Sequence, residues 1–280
     1  MNRPYDDAVV GAGILGLAHA YHLAKRGRRV IVFERSAAAC GASIRNFGMI
    51  WPIGQPEGPM RAMAERSRDI WLEVLADSGL WHERGGSLHL AYHDDEAQVL
   101  NEFIERARNS GRDVEWFDPS QVTSRSPAIR RDGLRGALWS AGEVCVDPRQ
   151  AIAGLPGWLS RRHEVEFQFG RTVTKIDGSA VFCGESSWNA SRIWICSGDD
   201  LASLFPEALG NLGLIRCKLQ MMRSQPFGDT FRLGPMLAAG STLRHYRAFE
   251  VCPSLAAVRD RFSRDFPSFD EFGIHVMASQ

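Results

Sequence analysis

A glycine turn close to the N-terminus constrains this chain more than any other feature. A short apolar run ends on Gly11, and the string GAGILG occupies residues 11 to 16. Apolar residues then recur at helical spacing as far as Arg26, and a buried strand, VIVF, ends on Glu34. The order of strand, glycine turn, helix and strand predicts a Rossmann-like α/β unit.

Each part of this unit has a physical role in binding a dinucleotide. Gly11 permits the tight turn, Gly13 lets the backbone approach a diphosphate, and Gly16 lets the helix pack close to the strand. The diphosphate would lie at the helix N-terminus, where free N–H groups and the helix dipole favour anions. Glu34 can accept hydrogen bonds from the ribose hydroxyls of an adenosine. The predicted cofactor contacts of this unit are Gly11, Ala12, Gly13, Ile14, Leu15, Gly16, Glu34 and Arg35.

Composition excludes several other classes of protein. The 280 residues carry 33 Lys and Arg against 33 Asp and Glu, so the formal net charge is zero. Neutrality argues against a nucleic-acid-binding protein. A hydrophobic fraction of 44% argues against disorder. The length predicts about two domains.

Targeting, metal and hydrolase signals are weak throughout the chain. The apolar stretch at 8–24 follows Asp6 and Asp7 and is interrupted by polar aromatic residues, unlike a signal peptide. No window reaches the run of about 18 apolar residues that a membrane span needs, and the cysteines show no CxxC spacing. His19 and His22 have no third ligand nearby, so no metal is expected, and there is no GxSxG elbow. We expect a cytoplasmic protein.

Four stretches resemble the D-amino-acid oxidase and glycine oxidase superfamily of FAD-dependent amine oxidoreductases. They are the first unit ending in VIVFERS, CGASIRNFGMI at 40–50, LRGALWSAGEVCVDPRQAIAGL at 134–155 and RIWICSGDDLASLFP at 192–206. The string SIRNFGMIWPIGQPEG is similar to a bacterial branch associated with phosphonate utilisation.

The resemblance implies a cofactor, a reaction and further contacts. The cofactor is FAD, and the reaction is hydride transfer from the C–N bond of a small amine, amino acid or aminophosphonate, with oxygen as the expected electron acceptor. The resemblance places the loop at 40–50 along the diphosphate and flavin ring, and Thr172-Val173-Thr174 as a strand beside the adenine. The further cofactor contacts that it implies are Ser43, Arg45, Asn46, Gly48, Met49, Val173, Ser197 and Gly198.

Hydrophobic patterning predicts the remaining elements. Helices are predicted at 59–77, at 94–109 with Asp94 as N-cap, and at 148–158, with a turn or short helix opening at Asp118-Pro119. A half-buried strand is predicted at 87–91, and further strands at 193–196, 217–222, 249–252 and 274–278. The expected architecture is an FAD-binding domain of the glutathione-reductase type, 1–84 and 140–214, with a discontinuous, sheet-rich α+β substrate domain, 85–139 and 215–280.

The substrate side is less defined, because the flavin carries the difficult step and no strong base is required. Anchoring an anionic substrate needs Arg or Lys. On the predicted strand at 217–222, Lys218 and Gln220 share one face, which looks either at the flavin or at solvent. The candidate substrate contacts are Arg45, Asn46, Lys218, Gln220, His245, Tyr246 and His275.

Two alternatives stay open. The glycine turn alone also fits an NAD(P)-dependent dehydrogenase. The second alternative is a truncated, non-catalytic relative, because members of the family run further and their final stretch contacts the flavin ring and the substrate. This sequence ends at Gln280 before such a stretch, which predicts weakened FAD binding and low turnover.

Overall fold

The structure, a computed structural model, describes residues 4–216, 218–228 and 230–280. The strands are β1 (Tyr5–Val10), β2 (Val30–Glu34), β3 (Met49–Ile50), β4 (His82–Glu83), β5 (Ser87–Ala91), β6 (Val114–Phe117), β7 (Gly136–Ser140), β8 (Val144–Val146), β9 (Glu166–Phe169), β10 (Lys175–Asp177), β11 (Ala180–Cys183), β12 (Ser186–Ile195), β13 (Met236–Ala238) and β14 (Met277–Ala278). The α-helices are α1 (Ile14–Ala24), α2 (Pro59–Ser78), α3 (Asp94–Asn109), α4 (Pro119–Arg125), α5 (Pro148–His163), α6 (Pro206–Gly210), α7 (Leu255–Asp265) and α8 (Pro267–Glu271). Short 3₁₀ helices occupy Ala42–Ile44, Pro52–Gly54, Gly240–Arg244 and Arg247–Val251.

The chain divides into two compact units. Unit 1 comprises Met1–Asn46, Ser78–Trp81 and Asp147–Met222, and unit 2 comprises Phe47–Asp77, His82–Val146 and Arg223–Gln280. Residues 47–77, 82–84 and 140–146, which we expected in the FAD-binding domain, belong to unit 2, where β3 and β4 both pair with β8. Residues 215, 216 and 218–222, which we expected in the substrate domain, belong to unit 1. The assignment of one domain to the cofactor and the other to the substrate stays a prediction.

Unit 1 is built on a six-stranded sheet in the order β10-β11-β12-β1-β2-β9. Strand β1 lies at its centre and pairs in parallel with β12 on one side and β2 on the other. All five residues of β2 are buried, as a continuous apolar run predicts for an inner parallel strand. Helix α1 follows β1 directly and buries Leu17, Ala20 and Leu23. The predicted strand, turn, helix and strand are therefore confirmed.

Unit 2 contains a five-stranded sheet, β14-β13-β5-β7-β6, and a three-stranded sheet, β3-β8-β4. Strand β5 lies where predicted but is buried at all five positions instead of half-buried. Two hydrophobic clusters explain the difference, because Ala91 belongs to one cluster while Leu88 and Leu90 belong to the other. The first of these clusters includes Val99 and Phe103 of α3.

The predicted helices are confirmed with small changes at their ends. Helix α2 extends to Ser78 and α5 continues past Trp158 to His163. Helix α3 begins at Asp94, so its N-cap is His93 and not Asp94. Asp118 caps α4 by accepting the backbone N–H groups of Ser120 and Gln121.

Several strand predictions are wrong or too long. The described residues 218–222 form no strand, and the side chains of Leu219 and Met222 are exposed. Lys218 and Gln220 therefore do not share a face of a sheet. Cys217 lies outside the described residues. Residues 247–251 form a 3₁₀ helix in place of the strand predicted at 249–252. Residues 172–174 are irregular, and only Met277–Ala278 of 274–278 is a strand. The patterns at 217–222, 249–252 and 274–278 span only four to six residues, too few for periodicity to separate these outcomes.

Candidate cofactor site

The glycine turn is closed by two backbone contacts that leave no room for a side chain. Gly11 has a φ of 106°, and a Cβ atom built on it would lie 2.3 Å from the carbonyl oxygen of Cys196. A Cβ atom on Gly16 would lie 1.8 Å from the carbonyl oxygen of Gly11. The turn therefore packs against the end of β12 on one side and against α1 on the other, and both positions require glycine.

Glu34 ends β2 and joins that strand to the turn. Its Oε2 accepts the backbone N–H of Ala12 at 3.0 Å, and its Oε1 accepts the backbone N–H of Ser36 at 3.0 Å. The side chain is 9% exposed and lines a cavity. Because each carboxylate oxygen can accept more than one hydrogen bond, Glu34 can still receive the hydroxyls of a ribose.

The N-terminus of α1 carries a side-chain acceptor from a distant loop. Gly13 is the N-cap, and no acidic residue occupies the first turn. The hydroxyl of Ser43 accepts the backbone N–H of Ile14 at 2.9 Å, and a Cβ atom on Gly13 would lie 3.1 Å from that Oγ. The hydroxyl thus occupies an acceptor position at a helix N-terminus, which is where an anionic oxygen is favoured.

The cavity next to these residues lies within unit 1 and has a volume of about 350 Å³. This volume is within the range of about 300–1,000 Å³ that is usual for small-molecule sites. Apolar walls come from Val173 and Leu204, and polar walls from Glu34, Arg45 and Arg171. An adenosine diphosphate needs an apolar slot, a ribose acceptor and cationic or N–H donors, so the residues present fit FAD.

Nine of the predicted cofactor contacts line this cavity: Gly11, Gly13, Glu34, Arg35, Ser43, Arg45, Val173, Ser197 and Gly198. Ala12, Ile14, Leu15 and Gly16 belong to the same turn and helix without lining it. Asn46 also belongs to unit 1, and its amide donates to the carbonyl of Ser43 at 2.7 Å. Gly48 and Met49 belong to unit 2.

The sequence analysis missed several residues on the cavity wall, notably Arg171 and Asp200. The carboxylate of Asp200 accepts the backbone N–H of Ser203 at 3.0 Å and forms an ion pair with Arg35 at 2.9 Å. Hydrogen bonds from Ser203 are the main reason that the pKa of Asp200 lies below its usual value. A signal for Asp200 was present, because it closely follows Ser197-Gly198 at the end of a parallel strand.

The candidate substrate contacts fall into three places. Arg45 and Asn46 lie in the loop of unit 1, and Lys218 and Gln220 lie on its exposed irregular segment. His245, Tyr246 and His275 come together in unit 2, where the centroids of the two imidazole rings are 4.4 Å apart. Burial lowers the pKa of His245, and the neighbouring His275 lowers it further. The Tyr246 hydroxyl contacts the sulfur of Met277 at 3.2 Å, and burial raises the pKa of Tyr246.

Unit 2 also buries two ionisable side chains that the sequence analysis did not single out. Glu143 is 2% exposed; its carboxylate accepts the backbone N–H of Ile53 and the hydroxyl of Ser87, both at 3.2 Å. Burial nevertheless raises the pKa of Glu143. His89 is 1% exposed, and neither ring nitrogen has a hydrogen-bond partner among the described residues. Burial lowers the pKa of His89 to about 3.

The described part of the chain shows neither a metal centre nor a membrane-spanning helix. Within it, no three His, Cys, Asp or Glu side chains are arranged to hold a metal ion. Over the same residues, no helix has both the length and the apolar character needed to cross a membrane.

Comparison with known proteins gives the family. Residues 6–257 match the family of FAD dependent oxidoreductases. Glycine oxidase of Geobacillus kaustophilus is 30% identical over 166 residues, which cover 55% of this chain and 43% of that protein. A putative thiamine biosynthesis oxidoreductase, ThiO, of Rhizobium etli is 30% identical over 214 residues, covering 75% and 59% respectively. The chain belongs to the FAD dependent oxidoreductase family, as the resemblance implied. FAD, and not a nicotinamide nucleotide, is the cofactor of this family.

Solved structures confirm the fold. The crystal structure of glycine oxidase from Geobacillus kaustophilus superposes with a TM-score of 0.64 at 24% identity, covering 74% of this chain and 59% of that one. The crystal structure of L-proline dehydrogenase from P. horikoshii gives a TM-score of 0.69 at 21% identity, covering 85% and 65%. The chain spans about half the length of the curated relatives that it matches, 43% of the glycine oxidase and 59% of the Rhizobium protein.

Proposed function

We propose that this chain binds FAD in the cavity of unit 1 and takes part in oxidising the C–N bond of a small amine, amino acid or aminophosphonate. The observation that carries the proposal is the position of Glu34. Its carboxylate ends a buried parallel strand, contacts the N–H of Ala12 in the glycine turn, and lines a cavity. This arrangement suits a ribose next to a diphosphate.

The substrate class is supported by what the relatives are named for. The matching proteins include a glycine oxidase, a sarcosine dehydrogenase and a D-amino acid dehydrogenase. These names share a substrate whose reacting carbon bears nitrogen. An aminophosphonate has the same reacting group with a different anion, and the SIRNFGMIWPIGQPEG string favours its inclusion.

The residues of the cavity can be given separate roles. Glu34 binds the ribose hydroxyls, the N-terminus of α1 and Arg45 hold the diphosphate, and Val173 packs against the adenine. Ser43 orders the loop at the helix N-terminus through Ile14. When bound, FAD supplies the group that accepts the hydride.

On the substrate side, His245 is the best-supported member of the cluster in unit 2. A histidine with a lowered pKa is neutral at pH 7, so it can accept a hydrogen bond from an amine. Tyr246 and His275 lie beside it. Arg45 and Asn46 remain candidates because they lie in the loop beside the cavity of unit 1. Lys218 and Gln220 are weaker candidates, because they were chosen for their place on a strand that the described residues 218–222 do not form.

We further propose molecular oxygen as the electron acceptor and a cytoplasmic location. Glycine oxidase, among the matching proteins, carries oxidase in its name.

The experiment begins with the cofactor. Purified protein should be yellow and should release FAD on denaturation, and apoprotein should quench flavin fluorescence on titration with FAD. Glu34→Gln should bind FAD more weakly, and Glu185→Gln is its matched control, because Glu185 is exposed and does not line the cavity. A colourless protein that tightens on NAD and ignores FAD would overturn the proposal.

The reaction is then tested by screening glycine, sarcosine, D-amino acids and 2-aminoethylphosphonate for hydrogen peroxide release and for anaerobic bleaching of the flavin. Bleaching with peroxide release supports an oxidase. Bleaching without peroxide overturns oxygen as the acceptor and keeps the C–N oxidation. Tight FAD binding with no bleaching by any amine, in this chain and in a C-terminally extended one, would support the non-catalytic alternative.

A further inference from the structure

Unit 2 contains a second cavity, of about 240 Å³, between the 3₁₀ helix at Gly240–Arg244 and the helices α7 and α8. Arg244, His245, Arg259 and Asp270 contribute its polar walls. We propose that this cavity, here called the arginine cavity, binds a small oxyanion such as a phosphate, phosphonate or carboxylate group. The proposal goes beyond flavin chemistry and does not depend on it.

The Arg244 side chain is buried and only partly hydrogen-bonded. It is only 7% exposed, its Nη1 pairs with Asp270, and its guanidinium lies over the ring of Phe262 at 4.3 Å. Its Nε and Nη2 are buried and have no hydrogen-bond partner among the described residues. A buried cationic donor without an acceptor is unfavourable, so these two atoms favour an added acceptor. Because solvent reaches neither atom, a ligand in the cavity contacts them only when neighbouring side chains shift.

The two unpaired donors of Arg244 have a geometry that suits a two-oxygen acceptor. Nε and Nη2 form one edge of the planar guanidinium, and their N–H bonds point in nearly the same direction. Such an edge fits two oxygen atoms of one carboxylate or phosphate group and makes two parallel hydrogen bonds. A chloride ion or one water oxygen can bridge both donors only through bent hydrogen bonds, whereas two oxygen atoms of one group accept each N–H in line.

The side chains that line the arginine cavity carry a net positive charge. Arg244 and Arg259 supply two positive charges, whereas Asp270 supplies one negative charge. The carboxylate of Asp270 is already engaged by Ser263 and Arg244, and the hydrogen bond from Ser263 is the largest cause of its lowered pKa. His245 adds no charge at pH 7 because burial lowers its pKa. Since Asp270 pairs with Arg244, the exposed guanidinium of Arg259 leaves the cavity with one net positive charge, which attracts an anion.

Other arginines of α7 do not change this balance, because each has its own acid. Arg261 pairs with Asp95 at 2.7 Å and with Glu96 at 2.7 Å. Arg264 pairs with Asp265 at 2.8 Å and is 69% exposed. Neither residue lines the arginine cavity.

The test uses flavin-loaded protein with inorganic phosphate as the probe. Phosphate binding is measured by calorimetry and by the broadening of the ³¹P resonance of phosphate. Wild-type protein should bind phosphate saturably. Arg244→Lys keeps the charge and removes the two-pronged edge, and we expect it to weaken binding about tenfold or more. Arg259→Ala removes an exposed charge and should weaken binding severalfold. Arg264→Ala, on the same helix, should bind as the wild type does.

Competition identifies the ligand class. Methylphosphonate and acetate should displace phosphate, whereas chloride at equal ionic strength should not. Displacement by chloride would show that the site attracts any anion by charge alone, and this would overturn the proposal. Absence of saturable phosphate binding, or wild-type phosphate affinity in Arg259→Ala, would also overturn it. If Arg244→Lys does not fold, Arg259→Ala and the competition series still decide. Because the measured quantity is phosphate binding, and FAD serves only to fill the cavity of unit 1, failure here leaves the amine-oxidation assays unaffected, and failure of those assays leaves this site standing.

Discussion

The carboxylate of Glu34 accepts the backbone N–H of Ala12 at 3.0 Å, which fastens the end of β2 to the glycine turn. Its other oxygen accepts the N–H of Ser36 at 3.0 Å. One side chain therefore orders both the turn and the chain that leaves the strand, while it faces the proposed ribose position. Substitutions of Glu34 should be felt in both roles.

Glu34→Gln replaces one of these oxygens by an NH₂ group, which then opposes the N–H of Ala12 or of Ser36. We expect FAD affinity to fall about tenfold to a hundredfold, since a lost hydrogen bond to a charged group is worth about 1.5–3 kcal/mol. Flavin fluorescence titration measures the change, with Glu185→Gln as the control. Unchanged affinity in Glu34→Gln would show that the carboxylate does not contact the cofactor.

Ser43→Ala removes the acceptor at the N-terminus of α1. Loss of such a cap costs about 0.5–2 kcal/mol, so the melting temperature of the FAD-free protein should fall. The FAD-loaded protein should lose less, because diphosphate oxygens can take over the N–H of Ile14. Thermal melts with and without FAD test this, and Ser187→Ala, at an exposed position of β12, is the control. An equal fall in both states would contradict the exchange of acceptors.

Gly16→Ala should abolish folding of unit 1. The new Cβ atom would lie 1.8 Å from the carbonyl oxygen of Gly11, and backbone at that position cannot move without breaking the turn. Soluble yield and a cooperative thermal transition report the outcome. Gly210→Ala is the matched control, because a Cβ atom there meets nothing within 4 Å. A variant at position 16 that melts like the wild type would refute the packing described for this turn.

His89 should make the protein less stable in mild acid. Its pKa falls from 6.5 to about 3 on folding, so between these values the unfolded chain binds a proton that the folded chain does not. The free energy of unfolding should therefore decrease as the pH drops through this window, by at most about 1.4 kcal/mol per pH unit. Glu143 has a raised pKa and acts in the opposite sense, so the effect is measured as a difference between variants.

His89→Leu should remove this contribution. At pH 7 the substitution should be neutral or stabilising, because the imidazole nitrogens have no partners among the described residues. Urea unfolding at pH 7 and at pH 5 gives the comparison. If wild type and variant lose the same free energy between the two pH values, His89 is not the group responsible.

Local signals predicted the cofactor turn well, and for a physical reason. The residues from Gly11 to Glu34 are close in sequence, and their spacing alone determines a turn, a helix and an acid at a strand end. Arg171 and Asp200 reach the same cavity only through the pairing of distant strands, so no window of sequence contains them together. The same applies to Arg244, whose guanidinium packs over Phe262 of a different element of the fold.

Exposure was harder to predict than position. Helix α3 and strand β5 lie where the pattern placed them, but the burial of His89 depends on which other elements cover each face of the sheet. Residues 218–222 show the converse problem, because alternating side chains do not make a strand without a neighbouring strand to pair with.

The carbonyl of Cys196 that closes against Gly11 has a consequence for biosynthesis. At a ribosomal rate of about 5–20 residues per second, the glycine turn leaves the ribosome roughly ten to forty seconds before its partner is made. Throughout this interval β1 has β2 beside it but lacks β12, so one apolar edge at the centre of the future sheet is uncovered. FAD cannot shorten this delay, because the strand that completes the turn is still to be synthesised.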